Sequence, residues 1–323
     1  MTIPEDRVEA PASTTGDDDP REHGIPAAAG GAARGRRGPR VALRRKSSRG
    51  DRAVAGVSHL VLTLWSLAVV LPLVWTFFSS LKDSRTINVS PFALPEVLHW
   101  DNYVRAWNTI GVATYFANTV IVVGSALILV MALGAMSAYV LARFRFRGNT
   151  LIYYLILLGN TFPIFLAVVP LFFVLKNSNL LGTYQGLILV YVAYAYPFTV
   201  FFLHSFFKTL PQEIYEAAQV DGAGDWRTFF QVMLPMAKPG LASVAIFNFL
   251  GLWNQYLLPT VLNPNKDKYV LSQGLYSMAS QQGYNVDYGG LFAAVVITIA
   301  PVLIMYVIFQ RQLQGGVSQG TMK

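Results

Sequence analysis

Six stretches of the chain stay apolar for twenty residues or more: 57–81, 113–141, 150–175, 184–207, 241–262 and 289–310. A helix rises 1.5 Å per residue, so about 20 apolar residues cross the ~30 Å hydrocarbon core of a bilayer. None of the six carries Asp, Glu, Lys or Arg in its central part. The pattern predicts an all-α, polytopic membrane protein with six transmembrane helices. The first stretch is too long for a signal peptide and is followed by no small-residue cleavage site, so it reads as a retained anchor.

The pattern breaks between the fourth and fifth stretches, over residues 208–240. TLPQEIYEAA predicts a helix with Thr209 as N-cap and Gln212 completing a capping box. Pro211 then lies in the first turn, where a missing N–H costs nothing. Leu210, Ile214, Ala217 and Ala218 fall on one face. Gly222 and Gly224 end that helix, because glycine reaches backbone angles that strain other residues. Asp225 is the expected N-cap of a second helix, with Trp226, Phe229, Phe230 and Met233 as an apolar stripe and Pro235 as its end. Helices that lie on lipid usually display Lys and Arg. The first of this pair displays Glu213, Glu216 and Asp221, with no basic residue between Lys208 and Arg227. Such a surface suits a basic cleft on a partner protein better than it suits lipid.

Composition agrees with a bilayer setting. Of 323 residues, 54% are hydrophobic and 13% charged, against about 25% charged in soluble domains. There is no cysteine, which excludes disulfides and thiolate metal sites. The net charge of +8 does not point to nucleic acid, because the bases crowd one tail and the loops beside the spans. Fourteen Lys and Arg flank one side of the predicted bundle (the 40–52 segment, the 142–149 and 208–240 loops, the C-terminal end) against six on the other. The positive-inside rule then makes both termini cytoplasmic. Residues 1–52 are Gly-, Ala-, Pro- and charge-rich without apolar periodicity and read as a disordered basic tail. Residues 53–310 form the membrane domain and 311–323 a cytoplasmic C-terminal tail.

Candidate chemistry is sparse. No G-x-x-x-x-G-K-[ST] occurs, so ATP phosphates have no P-loop here. No carboxylate interrupts a span, as ion-coupled carriers tend to require, and His204 is the lone ionisable candidate near a span end. Polar residues that could line a path for a solute are Asn248, Trp253, Asn254, Gln255 and Tyr256 in the fifth stretch and Asn160, Thr161 and Pro163 in the third. Tyr191, Tyr194 and Tyr196 join them in the fourth. Amides offer paired donors and acceptors; the same residues also serve as glue between helices, at about 0.6 kcal/mol each. Pro163, Pro170 and Pro197 are expected to kink their helices. An intramembrane enzyme would need clustered carboxylates, and the only cluster outside the tail is 213–225.

The spacing Glu216-Ala217-Ala218, Gly222, Val232, Leu234-Pro235 resembles the EAA loop of binding-protein-dependent ABC importer permeases, in particular the maltose-type sugar permeases. The resemblance extends over residues 57–323, through LPEVLHWDNYVRAW, FANTVIVV, FLGLWNQYLLP and the glycine-containing end RQLQGGVSQGTMK. It implies a multi-pass inner-membrane subunit without enzymatic activity of its own. The expected partners are a second homologous permease, a cytoplasmic ATPase dimer that binds ATP and Mg, and an extracytoplasmic solute-binding protein. No cofactor or metal is expected in this chain. The resemblance further implies that Ile214, Glu216, Ala217, Ala218, Asp221, Gly222, Leu234 and Pro235 couple to the ATPase, with Gln314 to Gly320 as weaker candidates. A sugar or oligosaccharide is the solute it implies; an amino acid or peptide, or an ion-coupled carrier, are the rivals.

Overall fold

The computed structural model describes residues 49–280 and 287–320, with side chains described from Val54 to Gln310 within those limits. Every regular element among them is helical. By contacts the chain divides into residues 1–58 and residues 59–323. The described part of the first is the start of helix α1 (Arg49–Ser79). The disordered basic tail predicted over 1–52 is corrected at its end, where residues 49–52 form the first turn of α1; residues 1–48 lie outside the described residues.

In chain order there follow α2 (Ser84–Val89), α3 (Asp101–Asn108), α4 (Val112–Arg143), α5 (Asn149–Thr161), α6 (Ile164–Asn177) and α7 (Tyr184–Thr209). The 208–240 loop contains α8 (Gln212–Val220), α9 (Asp225–Arg227), a π-helical turn (Thr228–Met233) and α10 (Leu234–Met236). The chain closes with α11 (Lys238–Trp253), α12 (Leu257–Leu262), α13 (Leu271–Ser280) and α14 (Tyr288–Gly320). Four helices are long and apolar enough to cross a membrane alone, and two bent pairs raise the number to six if each is one span.

The bends revise two predicted spans. The third divides at Phe162–Pro163, with 102° between α5 and α6. A residue before proline is driven out of the α region, and Phe162 is extended at φ −78°, ψ 121°. Pro197, by contrast, sits inside an unbroken 26-residue α7. The fifth span stops at Trp253, so α11 reaches only about 24 Å; α12 carries the remaining apolar residues after a turn at 254–256.

Helices α4 and α7 form the centre. Their axes approach at Gly134, where a Cβ would collide with the Thr199 methyl group. Glycine is required there by proximity alone. One buried cluster surrounds Val122, Tyr191, Leu252 and Leu258. A second surrounds Ala138, Tyr139, Leu203, Phe207, Phe229 and Met233, at the end of the bundle that carries the 208–240 loop.

The opposite end is closed by polar bonds. Buried Asn102 donates to the carbonyls of Ser80 (2.9 Å) and Lys82 (2.8 Å), and its Oδ1 accepts from Arg105 Nη2 at 2.6 Å. Arg105 grips Asp287 with Nε at 2.6 Å and Nη2 at 3.1 Å. Asp287 in turn caps α14 by accepting from the Gly290 N–H at 2.9 Å. Burial opposes ionisation of Asp287, but the bonds from Arg105 and Gly290 outweigh it and hold the carboxyl below the usual range. A depressed carboxylate pKa adds stability above about pH 4 that is lost as pH falls through the folded value. Asp287→Asn is therefore expected to lower the melting temperature in detergent at pH 7. The gap to the unmodified chain should close as the pH drops below about 4; a gap that persists there would assign the loss to packing instead.

Candidate functional site

Two features stand out: the 208–240 loop, and a recess in the bundle to which that loop contributes no lining residue. The loop is fixed at its base. Phe229 and Met233 are buried, each worth about 2 kcal/mol on burial. The Phe229 ring lies 4.9 Å from that of Tyr139 on α4, which also meets Phe207 at 5.6 Å. The predicted stripe of four is thus split by the π-helical turn. Trp226 and Phe230 stack on each other at 5.8 Å and remain 66% and 51% exposed.

Helix α8 is held differently. It contains no buried residue. Ile214 and Ala218 are half-buried, while Glu213, Glu216, Ala217 and Asp221 are exposed. The face expected for Leu210, Ile214, Ala217 and Ala218 is therefore divided, with Ala217 outward. Glu213, Glu216, Asp221 and Asp225 form no ion pair among the described residues. Asp225 acts at a distance: burial pushes the pKa of the Tyr215 hydroxyl upward and the Asp225 charge adds to it, against the pull of Arg143.

The turn after α8 follows the expected chemistry. Gly222 takes φ +78°. Its N–H donates to the Gln219 carbonyl at 3.1 Å, and the Ala223 N–H donates to that of Ala218 at 3.0 Å. These are the two bonds of a Schellman motif with glycine in the left-handed position. Gly224 is ordinary, at φ −66°.

The helix starts differ from the prediction. Pro211, not Thr209, is the N-cap of α8, and no side chain caps it. Thr209 instead closes α7, its hydroxyl donating to the Phe206 carbonyl at 2.8 Å. Gln212 Oε1 accepts from Arg143 Nη1 at 2.7 Å, so the capping box is replaced by a tertiary bond. Gly224, not Asp225, precedes α9. Pro235 does not end the run: it lies at the start of α10, half of a bent pair with α11 at 75°. Leu234 is half-buried against the second cluster, and Pro235 is exposed.

The recess has a volume of about 680 Å³, within the range of ligand cavities. Its wall includes the α5–α6 break and faces of α7 and α11, with Asn160, Phe162, Tyr194, Phe198, Phe247 and Asn248. Non-helical backbone at bilayer depth is tolerated where it lines such a space.

The predicted path residues separate here. Asn160 and Asn248 share the recess, with Asn160 exposed. Asn248 is 5% exposed and bonds Thr199 Oγ1 at 2.8 Å, which makes it glue between α7 and α11. Asn254, Gln255 and Tyr256 lie elsewhere, at the α11–α12 turn. Asn254 donates to its own helix at the Leu250 carbonyl (2.9 Å), and the Gln255 carbonyl accepts from Ser272 at 2.8 Å. The Tyr256 ring meets Tyr276 at 5.3 Å, a partner that hydropathy alone did not single out. His204 stacks on Tyr153 at 4.2 Å. The side chains of Gln314 to Gly320 lie outside those described, although α14 runs to Gly320.

A hairpin anchored at its base, in a bundle of apolar helices with one broken span lining a recess, suits a membrane transport permease. Residues 130–319 match the family described as "Binding-protein-dependent transport system inner membrane component", and the chain belongs to that family. It is a multi-pass integral membrane protein. Among its relatives, the diacetylchitobiose uptake system permease protein NgcG of Streptomyces coelicolor is 59% identical over 281 residues, covering 87% of this chain and 93% of that protein. The multiple sugar-binding transport system permease protein MsmG of Streptococcus mutans is 32% identical, over 82% of this chain and 96% of its own. Among solved structures, a chain of a bacterial ABC transporter involved in the import of the acidic polysaccharide alginate superposes with a TM-score of 0.74. It is 23% identical and is covered to 98%, against 82% of this chain; the likeness extends to the fold.

Proposed function

We propose that this permease imports a sugar or oligosaccharide, with α8 and its glycine turn as the handle through which a separate ATPase drives it. Glu216, Ala217 and Asp221 project from α8 to meet a basic cleft on that ATPase. Ile214 and Ala218 steady the helix, and Leu234 and Pro235 set its return to the bundle. ATP and Mg stay with the ATPase dimer. A second homologous permease completes the membrane unit, and an extracytoplasmic binding protein delivers solute to it. The handle lies on the cytoplasmic side of the inner membrane, as do both termini. Asn160 contacts the solute in the recess; Asn248 shapes its wall. Asn254, Gln255 and Tyr256 lie on the way toward it.

The observation that carries this reading is mechanical. An acidic helix without ion pairs among the described residues stands on a base of buried aromatic rings. Similarity to permeases named for diacetylchitobiose and multiple sugars supports the solute class.

Purification of the tagged chain in mild detergent from its native membrane tests the assembly. A P-loop ATPase and a second permease are expected to co-purify. The complex and its binding protein are then sealed into proteoliposomes with ATP, where labelled diacetylchitobiose is expected to enter and a labelled amino acid to stay out. A chain that purifies alone even after crosslinking at 213–225, or uptake that follows an ion gradient instead of ATP, would overturn the proposal.

A further inference from the structure

Three arginines stand close together in the segment Ala142–Gly148, and one of them is tied into the fold. Arg145 and Arg147 are exposed. Arg143, in the last turn of α4, turns sideways to the junction between α7 and α8. Its Nη2 donates to the carbonyls of Phe207 and Leu210, both at 2.8 Å. Its Nη1 donates to Gln212 Oε1 at 2.7 Å. Phe207 belongs to the last turns of α7, Leu210 caps it, and Gln212 is the first residue of α8. One side chain thus holds the ends of three helices.

The chemistry selects arginine. Carbonyls at a helix C-terminus carry partial negative charge and favour a cation. A planar guanidinium reaches several acceptors in fixed directions, whereas a lysine ammonium is a single flexible point charge. Arg143 forms no salt bridge among the described residues, so its charge is answered by these neutral oxygens.

The position matters as much. Only Leu210 and Pro211 separate α7 from α8, both extended at ψ 140° and 134°. Rotation about this two-residue link would let α8 swing without moving α7. Arg143 is bonded on both sides of the link, and it grows from α4, which is locked to α7 at Gly134 and Thr199. We infer that Arg143 is a positioning residue of the transport cycle: it fixes the angle of α8, so that displacement of α8 moves α4 and α7 together. The inference rests on the handle role proposed above for α8. Without the clamp, the same push is absorbed as bending at Leu210–Pro211.

The test uses the assembled transporter in proteoliposomes and reads solute imported per ATP hydrolysed, with melting temperature as the control for folding. Gln212→Ala removes one bond of the clamp and leaves both carbonyl bonds in place. It is expected to lower the ratio about fivefold, and Arg143→Lys about tenfold, with melting within about 2 °C of the unmodified assembly. Gln212→Glu, which keeps an acceptor opposite Arg143, is expected to restore the ratio. Hydrogen exchange of amides 213–220 in the detergent-solubilised complex gives a readout that needs no transport. Both weakened variants are expected to exchange faster there, with α4 and α7 unchanged. Unaltered exchange in both, or a ratio that falls only in step with melting temperature, would overturn the inference. Failure of the unmodified assembly to import with ATP would instead overturn the handle role, and the exchange result still decides whether Arg143 sets α8.

Discussion

Gly222→Val is expected to cut ATP-driven uptake tenfold or more, while the chain still inserts and melts close to normal. The reason is conformational, not steric. Open space surrounds the position where a Cβ would sit, with nothing within 4 Å. The backbone, however, sits at φ +78°, where an L side chain costs roughly 1–2 kcal/mol, and a branched Cβ more. Relief of that strain breaks the bonds from Gly222 to Gln219 and from Ala223 to Ala218, and α8 loses its fixed exit. The base of the loop, held by Phe229 and Met233, should survive. Gly224→Ala is the matched control, because Gly224 has φ −66° and equally open surroundings; it is expected to import normally. Uptake by proteoliposomes and near-native melting together check the prediction. Normal uptake by Gly222→Val would show that the angle of the turn is irrelevant to coupling.

Glu216→Lys is the second large effect, and it acts on the partner instead of the fold. Glu216 is exposed and in no ion pair among the described residues, so the isolated chain should tolerate the change. At a basic cleft the substitution replaces attraction with repulsion. Loss of one partner in a docked charge pair typically costs 2–5 kcal/mol, so the permease should bind its ATPase about 30-fold more weakly or worse. Binding of the purified ATPase to the detergent-solubilised permease measures this directly. Rescue by reversing the opposing base on the ATPase would name the contact. Unchanged affinity would move the docking surface elsewhere, with the exposed Trp226 and Phe230 pair as the next place to probe.

Gly222 was legible in the sequence for a local reason. A helix that needs a left-handed terminal residue calls for glycine, whatever surrounds it. The same locality explains the spans. Stretches predicted at 113–141 and 184–207 fold as Val112–Arg143 and Tyr184–Thr209, because hydropathy is summed over neighbours in sequence and the bilayer requires helices.

Prolines show where locality ends. Pro163 and Pro197 lack the same N–H, yet only the first breaks its helix. Around Pro163, Phe162, Phe165 and Leu166 are exposed, and little packing resists the break. Pro197 lies on a helix clasped at Gly134, at Gly159 and through Asn248, and those contacts hold α7 continuous. The fifth span is a similar case, since its apolar run does not reveal the turn that puts Asn254 and Gln255 apart from Asn160 and Asn248.

Sequence alone thus determined that the chain is helical and membrane-embedded, that an acidic hairpin interrupts it, and that Gly222 makes the turn, because each depends on residues within a few positions of one another. The tertiary structure decided which proline interrupts its helix, which polar side chains share a recess, and which of three neighbouring arginines grips the hairpin. Those outcomes depend on partners far apart in the chain: Arg143 finds Phe207, Leu210 and Gln212 only once α4 and α7 have packed.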